Sequence, residues 1–181
     1  MYKEERMDQA KEILVDLLKR EPDDEKASFL LGDILYENEQ LKEAVNVYLE
    51  ALKYHPENYD LYYHLGMVYT RLNDFQSAKE YYEKAAQLNS LLYQAKYSLA
   101  QIALIYNELE EATQYFMECI NGEYLEDLAY YTLAYIAMLK GEEEKAIEYL
   151  NVAIQENSSL YEKAGKEPLS QYIIKRVNKP N

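Results

Sequence analysis

The amino-acid sequence predicts an all-α fold, a right-handed solenoid of antiparallel helix hairpins. The first observation is a period of 34 residues, in which Leu31-Gly32 returns as Leu65-Gly66, Leu99-Ala100 and Leu133-Ala134. The second is that the 181 residues include only 5 Gly and 4 Pro, which leaves long stretches free to be helical. The third is that Ala, Leu, Glu, Lys and Tyr dominate over the β-branched residues that favour sheets.

Each unit of the period contains two apolar stripes with helical spacing. In the unit that starts at residue 59, Leu65 and Tyr69 belong to the first stripe and Tyr82 to the second, with a turn at Asn73-Asp74. Such a hairpin cannot bury its apolar side alone, so neighbouring units must stack on it.

Small and bulky residues recur in fixed columns, which indicates where the two helices of a hairpin meet. Small residues form two columns: Gly32, Gly66, Ala100, Ala134 on the first helices and Ala44, Ala78, Ala112, Ala146 on the second. The bulky column is Tyr48, Tyr82, Phe116, Leu150. The small residues allow a close approach, and the bulky ones fill the space between the helices.

With these columns the chain resembles the tetratricopeptide repeat family, whose period is also 34 residues. The match covers roughly residues 7–160 and is fullest at Tyr62, Leu65, Gly66, Tyr69, Ala78, Tyr82 and Ala85. The unit-ending proline, present as Pro56, is replaced by Ser90, Tyr124 and Ser158 in later units. These replacements predict tighter or re-angled junctions in the C-terminal half.

The repeats divide the chain into a partial unit, four full repeats and a cap. The predicted segments are 1–24 (orphan second helix of a partial first repeat), 25–58, 59–92, 93–126, 127–160 (repeats) and 161–181 (C-terminal capping helix and basic tail). The cap is expected to begin at Pro168 and to carry an apolar stripe of Leu169, Tyr172, Ile173 and Val177. A basic amphipathic targeting element is the alternative interpretation of this segment.

The pattern of the N-terminal segment predicts a helix whose apolar face has no first helix to cover it. Ala10, Leu14 and Leu17 fit the second helix of a unit whose first helix is missing. An uncapped helix exposes apolar surface, so self-association through this helix is expected.

Composition excludes several classes of partner. A net charge of −14 disfavours nucleic acid and anionic membrane surfaces. No apolar run approaches the roughly 20 residues of a membrane span, so direct membrane insertion is not expected. A single cysteine, Cys119, and a first segment without the apolar core of a signal peptide predict a cytoplasmic location, provided that the chain is complete.

No residue pattern points to catalysis, a metal or a cofactor. The only histidines, His55 and His64, lie in no metal-ligand spacing and beside no nucleophile, and no Gly-rich phosphate loop is present. Cys119 stands where other units have alanine, which predicts a buried, inert thiol.

The family resemblance implies a ligand groove on the concave face of the first helices. One column is aromatic in every unit, and tyrosine combines a large apolar ring with a hydroxyl that bonds to peptides. The predicted partner-binding residues are Phe29, Tyr36, Tyr63, Met67, Tyr97, Gln101, Tyr131 and Tyr135. The alternative is that these rings only pack helix against helix, as expected for Tyr81, Tyr115 and Tyr149 on the second helices. A carboxylate clamp is excluded, because Lys26 is the only Lys or Arg in the four columns that should line the groove. These groove columns are Lys26, Asp60, Gln94, Leu128; Phe29, Tyr63, Tyr97, Tyr131; Asp33, Met67, Gln101, Tyr135; and Tyr36, Thr70, Leu104, Met138.

The sequence therefore predicts a non-enzymatic protein–protein interaction scaffold that binds a partner peptide or helix in a tyrosine-lined groove. In one alternative, the acidic stretch from Glu108 to Asp127 docks a basic partner. In another, suggested by the orphan first helix, the chain is a regulatory or scaffolding segment of a larger enzyme or membrane-anchored protein.

Overall fold

The computed structural model describes residues 2–171 and 173–177, and for 2–6, 168 and 169 it describes the backbone alone. This part of the chain is helical and contains no strand, so the predicted all-α class is confirmed. The helices are α1 (Tyr2–Arg20), α2 (Glu25–Glu37), α3 (Leu41–Tyr54), α4 (Tyr59–Arg71), α5 (Phe75–Leu88), α6 (Tyr93–Ile105), α7 (Leu109–Asn121), α8 (Glu126–Leu139), α9 (Glu143–Glu156), α10 (Ser159–Lys166) and α11 (Pro168–Gln171). A 3-10 turn follows at Ile174–Arg176.

The helices form two compact units, Met1–Ala95 (unit 1) and Lys96–Asn181 (unit 2). In unit 1, α2 packs against α3 and α4 against α5, and Tyr48, Leu61 and Leu65 lie at the centre of a shared core. In unit 2, α8 packs against α9, and Phe116 and Leu133 belong to a core formed by α6, α7 and α8. None of the helices in the described part of the chain is both long and apolar enough to cross a bilayer.

Helix starts and hairpin turns follow from local hydrogen bonds. At the start of α2 the side chain of Asp24 accepts a hydrogen bond from the amide of Ala27 at 2.9 Å, and Asn58 and Asp74 cap α4 and α5 in the same way. Each hairpin turn has a residue with positive φ at the same position of the repeat: Glu39, Asn73, Asn107 and Gly141. The next amide bonds back to the carbonyl five residues earlier in all four turns, at 2.8–3.0 Å, which is the Schellman closure of a helix.

The junction before α8 differs from the junctions in unit 1. Tyr124 replaces the unit-ending proline there, and its neighbours Glu123 and Leu125 have φ of 55° and 48°, in the left-handed region. With one left-handed residue on each side of Tyr124, the backbone between α7 and α8 follows a different path from the junctions in unit 1. The departure from the family pattern thus coincides with an altered backbone path.

The C-terminal segment differs from the single capping helix that the sequence predicts. Helix α10 ends at Lys166, because Glu167 precedes Pro168 and adopts an extended backbone, as residues before proline prefer. A short helix, α11, then begins at Pro168 and is followed by the 3-10 turn. Of the predicted apolar stripe, Ile173 and Val177 are buried in unit 2. Tyr172 and the side chain of Leu169 lie outside the described residues.

Helix α1 has an apolar face that is only partly covered. Leu14, Val15 and Leu18 pack against the core of unit 1. Ala10 is half-buried, whereas its equivalents in the full repeats have no exposed surface, and Ile13 is 68% exposed. Self-association through this face stays a prediction.

Close packing inside each hairpin explains the small and bulky columns. An added Cβ at Gly66 would lie 2.6 Å from the Tyr82 ring, and one at Gly32 would meet the Tyr48 ring. Where the small residue is alanine, as at Ala100 and Ala134, the bulky residue is Phe116 or Leu150 instead of tyrosine.

We expect Gly66→Ala to lower the free energy of unfolding by up to about 2 kcal/mol. Displacing the ring of Tyr82 costs about 1–3 kcal/mol, and the higher helix propensity of alanine offsets about 1 kcal/mol. Urea denaturation followed by circular dichroism measures the change. The control is Gly165→Ala, because an added Cβ at Gly165 meets nothing within 4 Å. Equal effects of the two substitutions would contradict the packing explanation.

Candidate functional site

A cluster of aromatic rings lies on α2 and α4 in unit 1. Phe29 and His64 meet edge to face with centroids 5.0 Å apart, and Tyr63 is also edge to face with His64 at 5.9 Å. Two tyrosine rings on the second helices of these hairpins pack against the cluster. Tyr48 on α3 lies 5.5 Å from His64, and Tyr82 on α5 lies 5.6 Å from Tyr63. Phe29, Tyr63 and His64 are half-buried while Tyr48 and Tyr82 are buried, so the first three rings present aromatic surface outward. We call this group the unit 1 ring cluster.

A carboxylate borders the unit 1 ring cluster. Asp33 lies one helical turn after Phe29 on α2, and its Oδ1 accepts a hydrogen bond from the Tyr48 hydroxyl at 2.8 Å. Burial and, next, this hydrogen bond raise the pKa of Tyr48 far above its ordinary value, which keeps the hydroxyl a donor. His64 Nε2 lies 3.6 Å from the same carboxylate oxygen. Aromatic rings and a fixed negative charge thus occur together on this face.

Tyr36 and Met67, the other residues predicted in unit 1, are both half-buried. Near the end of α2, the ring of Tyr36 lies under the guanidinium of Arg71, 5.5 Å from its centroid. Arg71 also forms an ion pair with Glu39 in the hairpin turn. Tyr36 therefore already has a cationic neighbour.

In unit 2, Tyr97 is half-buried and packs edge to face on Phe116 at 5.4 Å and on Tyr124 at 6.2 Å. Burial is the main cause of a raised pKa of Tyr97. Gln101 is exposed, and Tyr135 on α8 is 40% exposed. These three residues keep surface available to a ligand.

Tyr131 differs from the open groove ring that the sequence predicts. It is only 7% exposed, its hydroxyl donates to Glu167 Oε2 at 2.6 Å, and Lys163 Nζ lies 4.5 Å from the ring centroid. Burial, followed by the bond to Glu167, raises the pKa of Tyr131. The expectation that this ring lies open is therefore corrected, because the C-terminal segment packs on α8 and covers it.

Two tyrosines on the second helices, Tyr81 and Tyr149, pack against first-helix tyrosines of their own hairpins. The rings of Tyr81 and Tyr69 stack 5.2 Å apart with an angle of 8° between their planes. Tyr149 meets Tyr130 at 6.1 Å. Tyr115 is partly buried against the core of unit 2.

The sequence did not single out the contact between Asp33, Tyr48 and His64 as part of a site. Asp33 and His64 stand in or beside the groove columns, but their columns contain no second aspartate or histidine. Only the fold shows that the Tyr48 hydroxyl passes Gly32 to reach Asp33.

Two reactive side chains outside the predicted groove, Cys119 and Lys96, are buried or paired within the protein. Cys119 is fully buried, and its burial raises the pKa of the thiol to about 11. Lys96 pairs with the neighbouring Glu118 at 2.7 Å. In the described part of the chain, no three His, Cys, Asp or Glu residues are arranged to hold a metal ion.

Three family models of the tetratricopeptide repeat match the sequence. A model described as "TPR repeat" matches residues 32–73, and two described as "Tetratricopeptide repeat" match residues 2–49 and residues 59–90 with 128–164. Together they cover most of the chain, which therefore belongs to the tetratricopeptide repeat family. No curated protein matches the sequence.

Solved structures with the same fold include MamA and YrrB. A crystal structure of MamA is 19% identical with a TM-score of 0.79, over 89% of this chain and 94% of that one. MamA from Desulfovibrio magneticus RS-1 is 18% identical with a TM-score of 0.75, over 84% and 86% of the two chains. YrrB, described as "a TPR protein with an unusual peptide-binding site", is 24% identical with a TM-score of 0.74, over 96% and 86%. At these identities the likeness establishes the fold.

We expect the Cys119 thiol to resist a disulfide reagent in the folded protein at about pH 8, where an exposed cysteine is partly ionised. With a pKa of about 11, the buried thiol is almost entirely protonated at that pH. Labelling with a chromogenic disulfide, followed by absorbance, should be slow in buffer and complete in urea. Rapid labelling of the folded protein would contradict both the burial and the inert role.

Proposed function

We propose that this chain is a non-enzymatic protein-interaction module that binds a peptide or helix of a partner protein on the faces of its first helices. The observation that carries the proposal is the unit 1 ring cluster. Phe29 and Tyr63 each meet His64 edge to face, and two buried tyrosines pack against these rings at tilted angles. All three rings keep part of their surface outward. Rings fixed in this way bind apolar side chains at a low cost in conformational entropy.

The first-helix face of unit 2 supports the same function with different residues. Tyr97, Gln101 and Tyr135 combine aromatic surface with an amide that can donate to and accept from a peptide backbone. Tyr131 contributes to the position of the C-terminal segment instead. In unit 1, Met67 on α4 is half-buried and adds adaptable apolar surface. The reported peptide-binding site of YrrB is a supporting analogy within the fold.

The rings should supply a large part of the binding free energy. From a library of random short peptides, we expect the purified chain to select binders. The double variant Tyr63→Ala, Tyr97→Ala should then have an affinity for the selected peptides that is lower by about tenfold or more, because buried aromatic anchors carry much of the affinity at interfaces. Fluorescence anisotropy measures the affinity, and circular dichroism checks that helicity is unchanged.

Tyr106→Ala is the matched control, because Tyr106 is an exposed tyrosine beyond the end of α6 and outside the groove columns. It should leave the affinity unchanged. An empty selection, or unaltered affinity of the double variant at unchanged helicity, would refute the proposal.

A second candidate function is docking of a basic partner on the acidic surface of unit 2. Between Lys96 and Lys140 the sequence has no basic residue, and both lysines are engaged in ion pairs, with Glu118 and with Glu110 at 3.0 Å. The acids that follow α7, including Glu123 and Glu126, add to this negative surface.

If the acidic surface steers the partner, the association rate should fall steeply as salt rises from about 0.05 to about 0.5 M, because added ions screen long-range attraction. Stopped-flow mixing with a lysine-rich peptide measures the rate. The control is the same peptide with its lysines acetylated. A rate that is independent of salt would exclude this function.

The same faces would serve if the chain were a segment of a larger enzyme or membrane-anchored protein. The open face of α1 motivates that alternative, and the sequence of the gene upstream of Met1 tests it. A cytoplasmic location also stays a prediction.

A further inference from the structure

Two polar groups lie close together beside the unit 1 ring cluster. They are the carboxylate of Asp33 on α2 and the Nε2 atom of His64 on α4, separated by 3.6 Å. The protonation of His64 decides whether this pair attracts or repels.

A backbone contact fixes the proton of the neutral imidazole. His64 Nδ1 lies 2.8 Å from the carbonyl oxygen of Asp60. A carbonyl oxygen can only accept, so Nδ1 must carry the hydrogen of this bond. In the neutral ring Nε2 then carries a lone pair, and this lone pair is close to the negative carboxylate of Asp33. A hydrogen-bond donor placed between the two acceptors would relieve their repulsion.

The carboxylate is both held in place and open to solvent. Its Oδ1 accepts the hydroxyl of the buried Tyr48 at 2.8 Å, whereas no described residue donates to Oδ2. The side chain of Asp33 is 54% exposed and that of His64 is 26% exposed. A ligand can therefore reach the pair without displacing a side chain of the protein, and one carboxylate oxygen is available for a direct bond.

Aromatic surface lies directly next to the acceptors. Phe29 is one turn before Asp33 on α2, and its ring meets the edge of His64 with centroids 5.0 Å apart. The ring centroid of Tyr63 lies 5.9 Å from that of His64, also in an edge-to-face arrangement. Such rings favour a cation that is carried on an apolar stem, through contact with the stem and through attraction of the charge by the ring.

Charge complementarity agrees with a cationic ligand. The chain as a whole carries a net charge of −14. Close to the pair, burial is the main cause of a raised pKa of Asp60, while the neighbouring His64 lowers it and the Glu25 carboxylate raises it with a smaller effect. Helix α2 contains one basic residue, Lys26, which is exposed at the start of the helix.

We infer that Asp33, His64 and Phe29 form a subsite for a basic side chain, arginine or lysine, of the bound peptide. Its charged group donates to Asp33 and to Nε2 of His64, and its methylene stem lies on the ring of Phe29. The inference rests on the proposed peptide-binding function and names the chemistry of one ligand position. It is the reverse in charge of a clamp that grips a carboxylate with lysine and arginine.

The test uses peptides selected from the random library by the full chain. We expect the selected peptides to share one arginine or lysine next to apolar residues. Replacing that residue by its neutral isostere, citrulline for arginine or acetyl-lysine for lysine, should weaken binding about tenfold or more, as expected for a charge-assisted hydrogen bond.

Two protein variants connect this loss to the subsite. Asp33→Asn keeps an acceptor for Tyr48 but removes the charge, so its preference for the basic over the neutral peptide should fall well below tenfold. Asp8→Asn removes an exposed aspartate from α1 of the same unit and should preserve the tenfold preference. His64→Phe keeps the ring packing without an acceptor nitrogen and should reduce the preference.

The outcomes separate the subsite from the function as a whole. If no peptide binds, the proposed function fails. If peptides bind but share no basic residue, or if Asp33→Asn keeps the preference, the subsite alone is refuted. Nitrogen-15 spectra of the imidazole give a further check, since they report which ring nitrogens carry a proton. If the His64 ring of the free protein carries a proton on both nitrogens at the pH of the binding measurements, the two-acceptor geometry is refuted, because His64 would then pair with Asp33 itself.

Discussion

In the hairpins α2–α3 and α4–α5, a contact between a glycine on the first helix and a tyrosine ring on the second fixes how closely the two helices approach. Gly66 against Tyr82 is an example in which there is no room for even a methyl group. This contact sets the separation of the two helices, and the Schellman closure at each turn is compatible with only a short connection between them. The outward position of the first-helix rings depends on the same contact, because buried tyrosines of the second helices support them.

The fold was predictable because its determinants repeat. Helical spacing, small columns and turn residues occur in every unit. One unit that departs from the pattern at one position therefore does not change the predicted fold. The C-terminal segment occurs once, and there a single local effect decided the outcome. The extended backbone of Glu167 before Pro168 separates α10 from α11, and the side chain of Glu167 accepts a hydrogen bond from Tyr131.

The candidate site was predictable only in part for the same reason. A period identifies residues that recur, and the aromatic column was found in this way. Asp33 and His64 recur in no other unit, and their contact joins residues on separate helices through the hydroxyl of Tyr48. No spacing along the chain indicates such a contact. In a repeat array, the shared architecture is thus encoded by what is common to the units, whereas the recognition of a ligand depends on how the units differ.

The pairing of small and bulky residues also bears on how such an array can change during evolution. Both members of each pair lie within one hairpin, so a unit of 34 residues brings its own complementary surface when it is duplicated or exchanged. A recombination point between hairpins preserves every pair. A point inside a hairpin can join an alanine from one unit to a tyrosine from another and create a clash. The boundaries at which this gene can be cut and rejoined are therefore restricted by a contact between side chains.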